Sequence, residues 1–193
     1  VQLTLTEPTE GVTISGTENL TCLKVPNENI RTTPCPKLQE FEYRGHTLSD
    51  KIFQCPFNDP TALSNMDIEV DSIDPDFRFP TQLTSFRFEG LSDLVDVSLL
   101  TALTCLQQLE MKTSGNLLDL SGLAALTRLD AFDLPVTGLP PSLVECDVTL
   151  CADIDFSSFT NLTSLNVLLE SGVSVILPTG LKVLTLHTFR YGL

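Results

Sequence analysis

Apolar residues recur along the chain in one phrase, apolar-x-x-apolar-x-apolar, read most clearly at Leu181-Lys-Val-Leu184-Thr-Leu186. The same phrase stands at Leu162-Thr-Ser-Leu165-Asn-Val167, Leu143-Val-Glu-Cys146-Asp-Val148, Leu126-Thr-Arg-Leu129-Asp-Ala131 and Leu106-Gln-Gln-Leu109-Glu-Met111. Less regular copies begin at Leu83, Leu63, Leu38 and Leu20, which makes nine, with first residues 18, 25, 20, 23, 20, 17, 19 and 19 apart. Self-similarity at a period of about 20 is the signature of a solenoid, in which each unit buries its apolar face against the next.

Within each copy the fourth and sixth positions are apolar and the third, fifth and seventh mostly polar, the period of a short strand with one buried face. Each copy should contribute one strand of about six residues, stacked in parallel about 4.8 Å from its neighbours. The segments that return the chain to the next strand are of two kinds. Pro60, Pro80, Pro140 and Pro178 each stand three residues before a repeat leucine; proline lacks a backbone donor and fixes φ, so these returns should be extended or turn-like. Asp96-Val-Ser, Asp119-Leu-Ser and Asp155-Phe-Ser open the other kind, where the Asp or Ser could cap a single helical turn. The expected fold is a mainly β solenoid with a parallel concave sheet and extended, 3₁₀ or short helical returns on the convex side. One array is expected to fill residues 1–193, with nine copies from Leu20 to Phe189, a partial repeat in residues 1–19 carried by Leu3-Thr-Leu5, and no cap expected at either end.

Leu-x-x-Leu-x-Leu at this period resembles the leucine-rich repeat family. Asp119-Leu-Ser-Gly-Leu-Ala-Ala-Leu126-Thr-Arg-Leu129 is similar to the returns of internalin-like repeats, and Leu139-Pro-Pro-Ser-Leu143 to the proline-containing short repeats of bacterial effectors and protist surface proteins. The resemblance spans about residues 20 to 190 and implies a leucine-rich repeat solenoid that binds ligands on its concave face. One position departs from the family, which usually carries Asn, sometimes Cys, as the ninth residue of each copy. Here it reads Glu28, His46, Asp71, Leu91, Ser114, Leu134, Cys151, Glu170 and Phe189. Only Cys151 conforms, so variable turns are expected in place of an asparagine ladder, with the longest steps, before Leu63 and Leu106, bulging outward as loops.

Composition narrows the partners. Twenty-five acidic against 11 basic residues give a net charge of −14, which disfavours nucleic acid and anionic membranes, both of which need basic patches, and favours a basic or neutral protein. No apolar run reaches the roughly 18 residues of a membrane-spanning helix, and Val1 opens neither a signal peptide nor a targeting sequence. The six cysteines lack the dense spacing of a disulfide scaffold. Cys35 and Cys55, both on returns of the least regular coils, are the best candidate disulfide, whereas Cys146 takes a core strand position.

Candidate chemistry is thin. Asp67-Ile-Glu69-Val-Asp71-Ser-Ile-Asp74-Pro-Asp76 invites a calcium reading, but a loop begun at Asp67 has Ser72 where glycine is required and Arg78 where the last carboxylate should be. The alternation with Ile68 and Val70 points instead to the exposed face of a strand. No nucleophile elbow, phosphate-binding glycine loop or His-Glu-x-x-His occurs, and His46 and His187 read as surface residues. No catalytic residue, metal ligand or cofactor site is expected. Asn19-Leu-Thr21 and Asn161-Leu-Thr163 match the N-glycosylation pattern, although Asn-Leu-Thr is also a natural way to begin a repeat.

The fifth position of the copies reads Lys24, Glu42, Asp67, Arg87, Glu110, Asp130, Asp147, Asn166 and Thr185. Parallel stacking would make these residues neighbours on the concave face. The candidate partner-binding set is Glu42, Asp67, Glu69, Arg87, Glu110, Asp130 and Asp147, with Phe132 as an aromatic anchor. The leading expectation is a non-enzymatic recognition or adhesion module, extracellular or displayed on a cell surface. Two alternatives stay open: a structural protein whose copies self-associate end to end through the solenoid ends, and a cytoplasmic regulatory scaffold with reduced cysteines.

Overall fold

A computed structural model describes residues 1–5, 13–26, 31–32, 35–48, 62–74, 77–90, 97–113, 118–150 and 152–188, with side chains at 31, 32, 48, 97–99, 113, 118, 132–135 and 137 outside the description. Its strands are β1 (Gln2–Thr4), β2 (Thr13–Ile14), β3 (Cys22–Val25), β4 (Arg31–Thr32), β5 (Glu40–Leu48), β6 (Asn65–Ile73), β7 (Ser85–Gly90) and β8 (Gln108–Thr113). They continue with β9 (Leu118–Asp119), β10 (Arg128–Gly138), β11 (Glu145–Leu150), β12 (Ile154–Asp155), β13 (Ser164–Leu169), β14 (Val175–Ile176) and β15 (Val183–Thr188). One six-residue 3₁₀ helix, η1 (Val97–Ala102), is the only helix among the described residues.

The protein is a mainly β solenoid built on one parallel sheet, whose strands follow one another in chain order, β1-β3-β5-β6-β7-β8-β10-β11-β13-β15. The repeat positions explain the order. In eight copies the first, fourth and sixth residues are all buried, for example Leu83, Phe86 and Phe88, or Leu162, Leu165 and Val167. In the ninth, Leu184 and Leu186 are 40% and 49% exposed, and no coil follows them among the described residues. The apolar stripe of each strand lies on that of the next, so the core runs the length of the stack.

Eight of the nine coils, all but the one whose return before Leu63 lies outside the described residues, reach their strands through the same device. The carbonyl three residues before the repeat leucine accepts that leucine's N–H: Thr17 from Leu20, Cys35 from Leu38, Leu103 from Leu106, Leu123 from Leu126 and Phe159 from Leu162. The carbonyl of the second repeat residue then accepts two N–H groups from the next coil, as Gln107 does from Thr127 and Arg128, and Thr127 from Val144 and Glu145. Where that residue carries a hydroxyl, the side chain adds a third bond between coils: Thr84 donates to Ser64 O (3.2 Å), Thr127 to Gln107 O (3.1 Å) and Thr163 to Val144 O (3.3 Å). The sequence carries this hydroxyl ladder openly as the Leu-Thr or Leu-Ser dipeptide.

In two returns the Asp caps the segment as expected, over tight turns in place of a helical turn. The Asp119 carboxylate accepts the Ser121 N–H at 2.9 Å and Asp155 that of Ser157 at 2.8 Å, capping tight successive turns through Leu120, Leu123 and Leu126 and through Phe156, Phe159 and Leu162. These bonds, from backbone and hydroxyl together, hold both carboxyls below the usual range. Asp96 lies outside the described residues.

Strand length varies more than the phrase suggests. β5 and β6 run for nine residues, three beyond the usual six, and their extension is joined by His46 Nδ1 to Asp71 Oδ2 (2.6 Å) and Thr47 Oγ1 to Ser72 Oγ (3.0 Å). Gly45 permits this: the hydroxyl of buried Tyr43, donating to Thr47 O at 3.1 Å, occupies the space a Cβ would need. β10 runs for 11 residues and loses register between Ala131, opposite Val148, and Pro135, opposite Thr149. Phe132, Asp133 and Leu134 therefore form a bulge, a common consequence of a residue without an N–H in a strand.

Candidate functional site: the charged sheet face

Period-2 alternation sends the third, fifth and seventh residues of each copy to the face opposite the core. The fifth residues form one transverse row, Lys24, Glu42, Asp67, Arg87, Glu110, Asp130, Asp147, Asn166 and Thr185, each paired in register with the next. All seven predicted charged residues of the partner-binding set lie on this face. Six belong to the row and Glu69 stands at a seventh position beside Arg44.

In the N-terminal half the charges are locked to one another. Arg44 grips Asp67 with both terminal nitrogens, Nη1 to Oδ1 at 2.8 Å and Nη2 to Oδ2 at 2.9 Å, while reaching Glu69 at 3.3 Å and Glu42 at 3.6 Å. Arg87 donates to Asp67 Oδ1 (3.2 Å), Glu110 Oε1 (2.9 Å) and Glu89 Oε2 (3.3 Å). Lys24 closes the near end on Glu42 at 2.6 Å. Two guanidinium forks thus bridge carboxylates from β5 to β8, and Asp67 is shared by both. Burial alone would push the Asp67 carboxyl up, but the hydrogen bonds and charges of Arg44 and Arg87 outweigh it and hold it below its usual value. The hydrogen bond to Asp67 raises Arg44 in turn, and that to Glu110 raises Arg87.

The lattice borders a depression of about 310 Å³ lined by Cys22, Lys24, Glu40, Phe41, Glu42, Asn65, Met66, Asp67, Ser85, Arg87 and Glu110. A smaller one of about 130 Å³ continues it past Arg87 and Glu110 to Arg128 and Asp130. Its floor is the backbone and core edge of the sheet, and its walls are the ion pairs.

The row changes character beyond Glu110. Asp130 and Asp147 are register neighbours, the nearby Arg128 leans toward Glu145 at 3.6 Å, and Asp147 receives only Asn166 Nδ2, on its Oδ2 at 2.9 Å. Arg44, the seventh residue of its copy and outside the fifth-position row, is the hub of the lattice. Its spacing alone could not show which of three neighbouring carboxylates it would hold.

The remaining predicted residues lie elsewhere. The Phe132 backbone sits in the β10 bulge and its side chain is outside the description. Asn19 and Asn161 are exposed in the turns that precede their strands, and Asn19 Oδ1 accepts from Lys37 Nζ at 2.7 Å. Cys35 is buried, and Cys55 lies outside the described residues. Cys146 is a buried core thiol, pushed up by burial and then by Asp147. Burial and the Glu40 hydrogen bond likewise raise Cys22. His46 is 82% exposed at its side chain. Among the described residues no cluster of three His, Cys, Asp or Glu is placed to hold a metal ion, and no helix is long and apolar enough to cross a membrane. Compared with known proteins, the sequence matches no family model and no curated protein.

Proposed function

We propose that this chain is a divergent member of the leucine-rich repeat family and a non-enzymatic protein-recognition module, displayed outside the cell, that binds a polypeptide partner on the concave face. The observation that carries the reading is the arginine-bridged lattice from β5 to β8. Long charged side chains ordinarily lose rotamer freedom when a ligand arrives. Arg44, Asp67, Arg87 and Glu110 are already held, so a partner meets a shaped polar surface at small ordering cost. The net charge of −14 adds a field that speeds the approach of a basic partner. Exposed Asn19 and Asn161 would carry glycans on turns outside the sheet.

The test is kinetic. Glu110→Lys with Asp130→Lys should slow association with the partner about tenfold at low salt and flatten its salt dependence, because face charges act chiefly on encounter. Thr160→Lys, on an exposed return turn, should change the rate less than twofold, because one added charge away from the face alters only the net charge of the chain. If the concave reversals leave both rate constants unchanged while substitutions between residues 50 and 60 abolish binding, the recognition surface is a loop and the reading fails.

End-to-end assembly is a second reading. Val183, Leu184 and Leu186 are 54%, 40% and 49% exposed on β15, whose outer edge pairs with no strand among the described residues. Such an edge is a template for another parallel strand.

A further inference from the structure

Three buried acceptor atoms on the concave face of β11 and β13 have no hydrogen-bond donor: Asp147 Oδ1, Asn166 Oδ1 and Thr149 Oγ1. Their placement is not scattered. Asp147 and Asn166 are register partners, and Thr149 follows Asp147 by two residues on the same face of β11, about 7 Å along the strand. Thr149 is only 6% exposed, whereas Asp147 and Asn166 are half-buried. Buried polar atoms are nearly always paired, and an orphaned carboxylate oxygen is the costliest kind to leave alone. Register also places Asp130 beside Asp147, so two carboxylates adjoin at this point of the row.

We infer that Asp147, Thr149 and Asn166 form a subsite for a lysine side chain of the polypeptide partner; this rests on the concave-face reading above. The donor set selects the ligand. Two of the open atoms, Asp147 Oδ1 and Asn166 Oδ1, only accept, and the Thr149 hydroxyl can also accept, so a donor ligand can satisfy all three, and the Asp147 carboxylate favours a cation. A guanidinium binds a carboxylate best through both oxygens, but Asp147 Oδ2 is already taken by Asn166. One open carboxylate oxygen flanked by an amide carbonyl and a hydroxyl suits the three donors of an ammonium point charge. A hard metal ion wants several carboxylates, and no group of three His, Cys, Asp or Glu is placed to hold one among the described residues.

The probes are acetylated, amidated pentalysine and penta-arginine, titrated into the full chain at low salt. Asp147→Asn should weaken pentalysine binding about tenfold, the effect of one charge-assisted hydrogen bond, and Thr149→Val, which leaves the net charge unaltered, should weaken it about threefold as a neutral hydrogen bond does. Both should alter penta-arginine binding less. Glu18→Gln, the same charge change on an exposed turn outside the sheet, should have little effect on either peptide. Far-ultraviolet circular dichroism confirms that each variant is folded. Equal losses in Asp147→Asn and Glu18→Gln would reduce the effect to net charge and overturn the subsite, while leaving the concave-face reading to its own kinetic test. If the amide resonances of Asp147, Thr149 and Asn166 move with calcium chloride and not with pentalysine, the site takes a metal ion and the inference is likewise overturned.

Discussion

Phe86→Ala should destabilise the fold by about 3–5 kcal/mol, the cost of an aromatic-sized cavity in a packed core. Phe86, the second residue of β7 and the fourth of the repeat begun at Leu83, is 1% exposed. Its ring meets Phe79 at 5.1 Å and 60°, and Phe88 at 6.0 Å; Phe79 in turn meets Phe77 edge-on at 5.0 Å. The ring therefore joins the return before β7 to the strand itself, in the middle of the stack. Because coils contact chiefly their neighbours, a cavity here interrupts coupling along the array as well as removing burial. Urea unfolding should show a lower midpoint and a shallower transition, and Phe86→Leu should recover most of the loss. A cost below about 1 kcal/mol for Phe86→Ala would mean that the coil repacks and that the aromatic cluster is not a structural joint.

Asp67→Asn should cost about 1–3 kcal/mol at neutral pH, the range for hydrogen bonds to a charged group. Two arginines would lose their shared carboxylate at once, and Arg44 would keep its bond to the Tyr43 carbonyl at 3.2 Å and its contacts to Glu69 and Glu42 at 3.3 and 3.6 Å. The Asp67 pKa is held down in the folded state, so its contribution is fully present above the unfolded carboxylate value of about 3.9 and is lost as pH falls through the lower folded value. The stability difference between wild type and Asp67→Asn should thus be flat from pH 7 to about pH 5 and shrink below about pH 4. Denaturant midpoints across that range measure it, and a difference that grows on acidification would show that the arginines do not favour the ionised carboxylate.

The repeat phrase made the sheet legible residue by residue. Leucine at the first position and apolar residues at the fourth and sixth are local facts of the sequence, and parallel stacking turns them directly into one core. The Asp119 and Asp155 caps were legible for the same reason, since an Asx turn involves residues two apart. Cys146 likewise sits in the core as its position required.

What the phrase could not carry were the interactions between coils that depend on side-chain rotamers. The fifth-position row was predictable, but Arg44 selects Asp67 for its fork while still touching Glu42 and Glu69, a competition that spacing does not decide. β10 shows the other limit. Arg128-Leu-Asp-Ala131 obeys the alternation, and Phe132 looks like a seventh-position residue until Pro135 is weighed; the ladder resumes only there, with Thr149. A proline inside a strand phrase was the available signal for the bulge. The β5 and β6 extensions rest on a glycine yielding space to a tyrosine hydroxyl, which has no signature in hydrophobic periodicity.

Site-specific photo-cross-linking tests the recognition surface most directly. A benzophenone side chain at Ser85, on the wall of the concave depression, is compared with one at Thr160 on a return turn, each incubated with proteins from the chain's native surroundings. The expected result is one adduct from Ser85 and none from Thr160, suppressed by excess unlabelled wild-type chain but much less by Arg87→Glu, which breaks the lattice. Capture from Thr160 alone, or competition by Arg87→Glu equal to that of wild type, would contradict it.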